Sequence, residues 1–302
     1  MIEISDDFDL GRDSTRIKDR RDADRQRLTT ATILARFYGD PARRVPLQLV
    51  ADEVGMGKTF VALAVAYSLL RGMDREADQD LVGCSSRVLV VAPQNSALVD
   101  KWVREVGEFV RRCIPEEKRS DAAQQFGVQR VDRLDELAST LRSPVKGIVV
   151  THMGVLAGGK QFLHLDLKRR FLLGVLFRFW GNRFVNAARE RLLRGAPEHW
   201  PRDPSMLAAL SGDEPSRIPF ESEDDALAAV RCLEGQNAVA LEQLLTACRE
   251  LSEPHTRGRA ERFKKEIEAP IADLYRDVCF AGIRAAVPLV IVDEAHHWKN
   301  GP

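Results

Sequence analysis

From about residue 22 to residue 38, apolar side chains fall at Leu28, Ala31, Ile33, Leu34 and Phe37, a spacing that predicts one buried face of a helix. Gly39, Asp40 and Pro41 break the pattern. Residues 47–50 then read as a short buried strand, which runs through a glycine-containing loop into a strongly helical stretch over 59–70. A second unit follows: a β-branched run over 87–92 stops at Pro93, and residues 97–113 have helical periodicity with Trp102, Val106 and Phe109 facing inward. Residues 147–151 and 289–292 predict two further strands. Strands alternating with helices predict an α/β domain with parallel pairing and helices on both faces of the sheet.

Between the third and fourth strands the pattern changes. Residues 157–286 contain several helical patterns and no convincing strand, which predicts an all-helical insertion between a first part over 1–156 and a closing part over 287–302. Within it, residues 161–194 mix Phe, Leu and Trp with many Lys and Arg, and residues 197–225, rich in Pro, Ser and acid, read as a loop. Helix resumes over 226–251 and again over 257–286, with a bend expected at Pro270 because proline cannot donate the helical hydrogen bond.

Composition narrows the class only a little. Of 302 residues, 44% are hydrophobic and 30% charged, as in globular proteins. Forty-five basic residues balance forty-five acidic ones, so a nucleic-acid surface has to be local. The five cysteines form no C-x-x-C pair and suggest buried, reduced thiols. The start of the chain lacks the apolar core of a signal peptide, and the most apolar internal run, 171–180, is short and carries Arg178. A cytoplasmic protein without a membrane span is expected.

Candidate chemistry lies at two places. Asp52, Glu53, Val54, Gly55, Met56, Gly57, Lys58 and Thr59 fall between the first strand and the first long helix, the context of a P-loop. Gly55 and Gly57 would let backbone N–H groups turn in around a β-phosphate, Lys58 would reach β- and γ-oxygens, and the Thr59 hydroxyl would ligate Mg²⁺. Asp52 stands where the common P-loop pattern has its first glycine. The second place is Asp293 and Glu294, two adjacent acids at the carboxyl end of an apolar strand, where parallel sheets bind ligands. Asp293 would hold the Mg²⁺ through a water, and Glu294 would orient and deprotonate the water that attacks the γ-phosphate. His296 reads as a hydrogen-bonding coupler; with no third ligand beside His296 and His297, a metal site there is not indicated.

These residues resemble the helicase superfamily two ATPases, most closely the Swi/Snf-type branch of double-stranded DNA translocases. The resemblance rests on Asp52 and Glu53 before the glycines, on Asp293-Glu294-Ala295-His296 followed by Trp298-Lys299-Asn300, and on two stretches between them. Residues 88–93 with Ser96, Leu98 and Trp102 look like the family's second motif, whose loop and helix touch a DNA backbone, and Val149, Val150 and Thr151 with Leu156 look like its third. It covers about residues 20–156 and 286–300. It implies a RecA-like P-loop domain that binds ATP and Mg²⁺, with Gln26 reading adenine and Pro93, Ser96 and Thr151 lying along the nucleic-acid path.

The family's next strand, its second RecA-like domain and the arginines that complete an ATP site would follow residue 302, so the stretch in hand is expected to be incomplete as a motor and inactive by itself. Two rival readings stay open. One is a P-loop ATPase that switches protein assembly without nucleic acid; the other is an inactive fragment that binds partners through the insertion. Lys160, Lys168, Arg169, Arg170, Arg178, Arg183, Arg189, Arg191 and Arg194 could lie on phosphates, but Phe171, Leu172, Val175, Leu176, Phe179 and Trp180 must pack somewhere, so core with arginines reaching out to solvent is the expectation.

Overall fold

The computed structural model describes residues 2–51, 55, 57–73, 84–156, 171–172, 174–176, 178–179, 192, 223–253, 257–283 and 287–294. The chain divides into two compact units, one of Met1–Asp132, Thr140–Gly154 and Ala285–Pro302, the other of Arg133–Ser139 and Val155–Arg284.

The first unit is an α/β layer structure around a four-stranded sheet. Its helices are α1 (Arg20–Tyr38), α2 (Lys58–Gly72), α3 (Ser96–Cys113) and α4 (Arg119–Gln125), with part of α5 (Leu134–Arg142). Its strands are β1 (Arg87–Ala92), β2 (Val128–Arg130), β3 (Gly147–His152) and β4 (Val290–Val292). They lie in the order β2-β3-β1-β4, all parallel, with Ala92 level with His152 and Val91 level with Val292. Every residue of β1 is buried, as a continuous β-branched run requires of a central strand covered on both faces.

Three expectations change here. Residues 47–50 are extended but form no strand: Leu47 and Leu49 are 79% and 73% exposed, while Val50 packs on the core. A strand exists through its ladder, and this stretch is instead held back on α1, where Val45 N–H donates to the Arg36 carbonyl and Arg36 donates to Gln48 Oε1. The face of α1 also differs. Leu28 is 69% exposed, and the buried stripe runs through Ala23, Gln26, Thr30, Ile33, Leu34 and Tyr38. Two polar residues sit on it because each is satisfied locally, Thr30 by donating to the Gln26 carbonyl at 2.8 Å and Gln26 by accepting from Arg16 at 3.3 Å. The sequence pattern does not predict α4, β2 or α5.

The leading residues, charged and without periodicity, are part of this unit. Ile2, Phe8 and Leu10 are buried, and Phe8 closes an aromatic cluster with Tyr67, Phe109 and Phe126. Asp9 N–H donates to the Cys113 carbonyl at 2.9 Å, joining the segment to the end of α3. Asp7 bridges Arg71 (2.8 Å) and Lys118 (2.7 Å) with its side chain nine-tenths buried. Burial opposes its ionisation, but the hydrogen bonds from Lys118 and Arg71 prevail and hold the carboxyl below the usual carboxylate range.

The second unit is helical where it is described. It contains the short α6 (Met153–Leu156) from Val155 onward, α7 (Glu223–Glu234), α8 (Ala238–Leu251), α9 (Arg259–Phe263) and α10 (Ala269–Ile283). A π-helical turn over Lys264–Glu268 joins α9 to α10. The irregularity expected at Pro270 therefore falls one turn earlier, because the missing proline N–H leaves the Glu266 carbonyl without its helical donor and the turn widens to re-pair its neighbours. Phe171, Leu172, Val175 and Leu176 are buried, Phe171 edge-on to Tyr275 with centroids 5.2 Å apart, which places this part of the basic-aromatic stretch in a core. Arg178 pairs with Glu234 at 3.7 Å. The other basic residues of that stretch, and the loop over 197–225 up to residue 222, lie outside the described residues.

The five cysteines are free thiols, four of them buried. No helix among the described residues is long and apolar enough to cross a membrane.

Candidate nucleotide site

Tethers fix the far ends of α2 and α1 to the sheet. At its far end α2 is fixed beside the starts of the strands: the Leu70 carbonyl accepts from Lys146 Nζ at 3.3 Å, next to Gly147 of β3, and Arg71 donates to Gln125 at 2.6 Å, just before β2. A helix rises about 1.5 Å per residue, so Lys58 stands about 18 Å from that end, the length of a short parallel strand. In the first turn of α2, Phe60 packs against Phe109 of α3, with ring centroids 6.0 Å apart. Likewise Tyr38, at the end of α1, donates from its hydroxyl to the carbonyl of Pro288 at 2.6 Å, at the start of β4.

Before α2, Gly55 and Gly57 adopt φ of +89° and +82°, the left-handed region that only glycine enters at little cost. A methyl group on Gly57 would lie 2.4 Å from Gln26 Nε2, so Gln26 packs directly on the loop. Space beside Gly55 is open. While α1 and α3 are capped by the side chains of Asp19 and Asn95, α2 begins at Gly57 with no side-chain cap. Gly57 has no side chain to accept from the first N–H groups, which carry the positive end of the helix dipole. Lys58 is exposed and Thr59 half-buried at the first two positions of α2. Asp52 and Met56 lie outside the described residues.

Asp293 and Glu294 follow β4 directly. Asp293 N–H donates to the Val91 carbonyl at 3.0 Å, continuing the ladder with β1, and its Oδ2 accepts from Trp102 Nε1 at 2.8 Å. A buried indole N–H needs an acceptor, and this pair meets that need while fixing the carboxylate. Glu294 is exposed with φ of +49°, an unfavourable conformation for a side-chain-bearing residue. His296 lies outside the described residues.

The residues assigned to a nucleic-acid path divide. Pro93 is half-buried at the end of β1 and residues 94–97 are exposed, so Ser96 is accessible at the start of α3. Thr151 corrects the expectation: it is fully buried, and its hydroxyl donates to the Val131 carbonyl at 2.9 Å, a strut between β3 and the residue after β2. No group of three or more His, Cys, Asp or Glu converges among the described residues. Thr59 and Asp293 are the residues that could contribute to Mg²⁺, an ion that keeps several waters and takes phosphate oxygens.

One bond and one residue of this neighbourhood escape sequence reasoning. The Trp102–Asp293 bond joins positions 191 apart; its signal is an indole on the inward face of α3 close to that helix's start. Arg16, which reaches Gln26, has no signal because its segment lacks periodicity. Comparison with known proteins returns no match to any family model, curated protein or solved structure.

Proposed function

We propose that this chain binds Mg²⁺-ATP on the loop before α2 and forms the first, RecA-like motor domain of a DNA-dependent ATPase, as its resemblance to Swi/Snf-type translocases implies. One observation carries the reading: two glycines of positive φ lead beside Gln26 into a helix without a side-chain cap, in a chain whose Asp293 stands just past β4 at the carboxyl edge of a parallel sheet. Ligands of such sheets bind at that edge. Gly57 and the first turn of α2 would hold the β-phosphate, Lys58 would neutralise β- and γ-oxygens, and Glu294 would take the proton of the attacking water. Thr59 and, through a water, Asp293 would hold Mg²⁺, which would supply positive charge to phosphate oxygens during transfer. The turn over Pro93 and Ser96 would lie on the backbone of duplex DNA; Thr151 has no place in that contact.

Calorimetric titration tests the first half. Mg²⁺-ATP is expected to bind, and Lys58→Ala to weaken binding at least tenfold; equal affinity in the two proteins ends the reading. Duplex DNA binding tests the second. Ser96→Glu, which adds a negative charge facing phosphate, should weaken it, with the gap closing as salt screens it. ATP binding without any DNA binding would leave the nucleotide switch as the function.

A further inference from the structure

Two rows of side chains in the second unit enclose a groove that the nucleotide reading leaves unused. On α8, Val239, Gln243, Thr246 and Glu250 recur every three or four residues and so share one face of the helix. Arg262, Glu266 and Pro270 do the same along α9, the π-helical turn and the start of α10. Between the rows lies an open groove of about 660 Å³. The rows run antiparallel, since Arg262, first in its row, donates from Nη2 to Oε2 of Glu250, last in the other, at 2.8 Å. Pro270 therefore lies toward the Val239 end.

The two ends differ in chemistry. Val239 is 71% exposed at one end, and the buried Leu244 and Ala247 give the groove an apolar floor. At the other end Arg262 is taken up by the protein's own carboxylates: besides Glu250, Glu266 accepts from Nε at 3.0 Å and from Nη2 at 2.9 Å. Glu242 adds a third carboxylate to the lining, against the single guanidinium. The surface is thus acidic over an apolar floor, and its carboxylates keep oxygen lone pairs beyond those that Arg262 uses. Such a lining repels phosphates and attracts cations. A cleft between two antiparallel helices also has the ridges and grooves on which a third helix packs.

We propose that this groove docks a basic amphipathic helix of a partner protein, which sets an apolar side chain on Val239 and a lysine or arginine against Glu250 and Glu266. The spacing follows from α8. Val239 and Glu250 are eleven residues apart, about 16 Å along the axis, so a partner helix meets both ends with residues at i and i+11, which return to one face. Apolar residues at i+4 and i+7 would lie over Leu244 and Ala247. Complementary charge then fixes register and partner choice more than affinity, because half-exposed ion pairs are weak. The inference does not depend on the nucleotide site, whose residues belong to the first unit.

Fluorescence anisotropy of synthetic, alanine-based helical peptides tests this on the whole chain. One peptide carries leucines at i, i+4 and i+7 and lysines at i+10 and i+11; in the control, glutamates replace the lysines. The lysine peptide is expected to bind about tenfold tighter, with the gap closing as salt rises. Glu250→Gln should weaken it about threefold without weakening the glutamate peptide, and Val239→Ser should weaken both peptides alike. Both positions are exposed, and circular dichroism checks that the variants keep their fold. Absence of binding by the lysine peptide, equal binding of the two peptides, or indifference to both substitutions overturns the inference. Self-association of the free chain that Val239→Ser abolishes would give the groove to a second copy, and displacement of the peptide by duplex DNA would give it to nucleic acid; either result overturns it too.

Discussion

At the scale of single residues, Gly57 and Trp102 carry the sharpest consequences. Gly57→Ala would place a side chain at φ of +82° and a methyl group 2.4 Å from Gln26 Nε2, so both the loop and Gln26 would have to move. The backbone strain alone is about 1–2 kcal/mol. Nucleotide affinity is expected to fall at least tenfold while the far-ultraviolet circular dichroism stays that of the wild type; unchanged affinity would show that the loop geometry is not what binds. Trp102→Phe keeps most of the buried ring and removes the hydrogen bond to Asp293 Oδ2. A bond to a charged acceptor is worth about 1.5–3 kcal/mol, so the carboxylate would lose its fixed orientation. The expected signature is a weaker Mg²⁺ dependence of ATP binding, with binding in excess chelator unaltered. Loss of both together would make Trp102 a packing residue only.

At the scale of elements, α1 works as a strut between the glycine-containing loop and the sheet. Its last residue is tied to the start of β4 through Tyr38 and Pro288, and burial pushes the Tyr38 hydroxyl well above its ordinary pKa. Tyr38→Phe removes that one bond and should cost about 1 kcal/mol. If the strut reading holds, amide exchange over residues 289–293 quickens more than elsewhere, and an even change across the unit would count against it. The leading segment is a comparable brace. Phe8 touches Tyr67 and Phe109, which lie on α2 and α3, so Phe8→Ala should destabilise the first unit by about 3–5 kcal/mol in urea unfolding. A cost below about 1 kcal/mol would mean that the segment lies on the core without supporting it.

At the scale of the whole molecule, buried acids of high pKa govern the alkaline limit. Burial raises the thiols of Cys113 and Cys248 to about 12, and the Tyr38 hydroxyl is also raised. For each group the neutral form is favoured in the folded state. The unfolded chain ionises first, so stability is complete below the unfolded pKa and is lost progressively as pH rises toward the folded value. The window opens near pH 8.5–9 for the two thiols, with Tyr38 joining above about 10. Urea midpoints should hold up to about pH 8 and decline through pH 11. Cys113→Ala with Cys248→Ala should flatten that decline even if it lowers the plateau; an undiminished slope would assign the decline to other groups.

What the sequence determines by itself is what repeats over short distances. The apolar period of α3, the unbroken β-branched run of β1, the glycines at 55 and 57 and the acids closing β4 are all local signals, and each element formed close to its expected bounds. The helical character of the second unit was legible for the same reason, but the single run expected over 226–251 is two helices, Glu223–Glu234 and Ala238–Leu251. They are parted by a turn at Gly235, where the chain lacks a side chain to favour helix, and nothing local shows that residues 133–139 group with them. Tertiary structure decided the rest, because a polar group is placed by the partner it finds. Gln26 and Thr30 turn inward on α1, and Leu28 turns out, since Arg16 and a backbone carbonyl satisfy the polar side. The Thr151 hydroxyl is taken by Val131. Residues 47–50 have a strand's composition but no ladder, and β2 is a strand only because β3 lies beside it. The Trp102–Asp293 bond spans 191 positions, far beyond any period that a window of sequence can report.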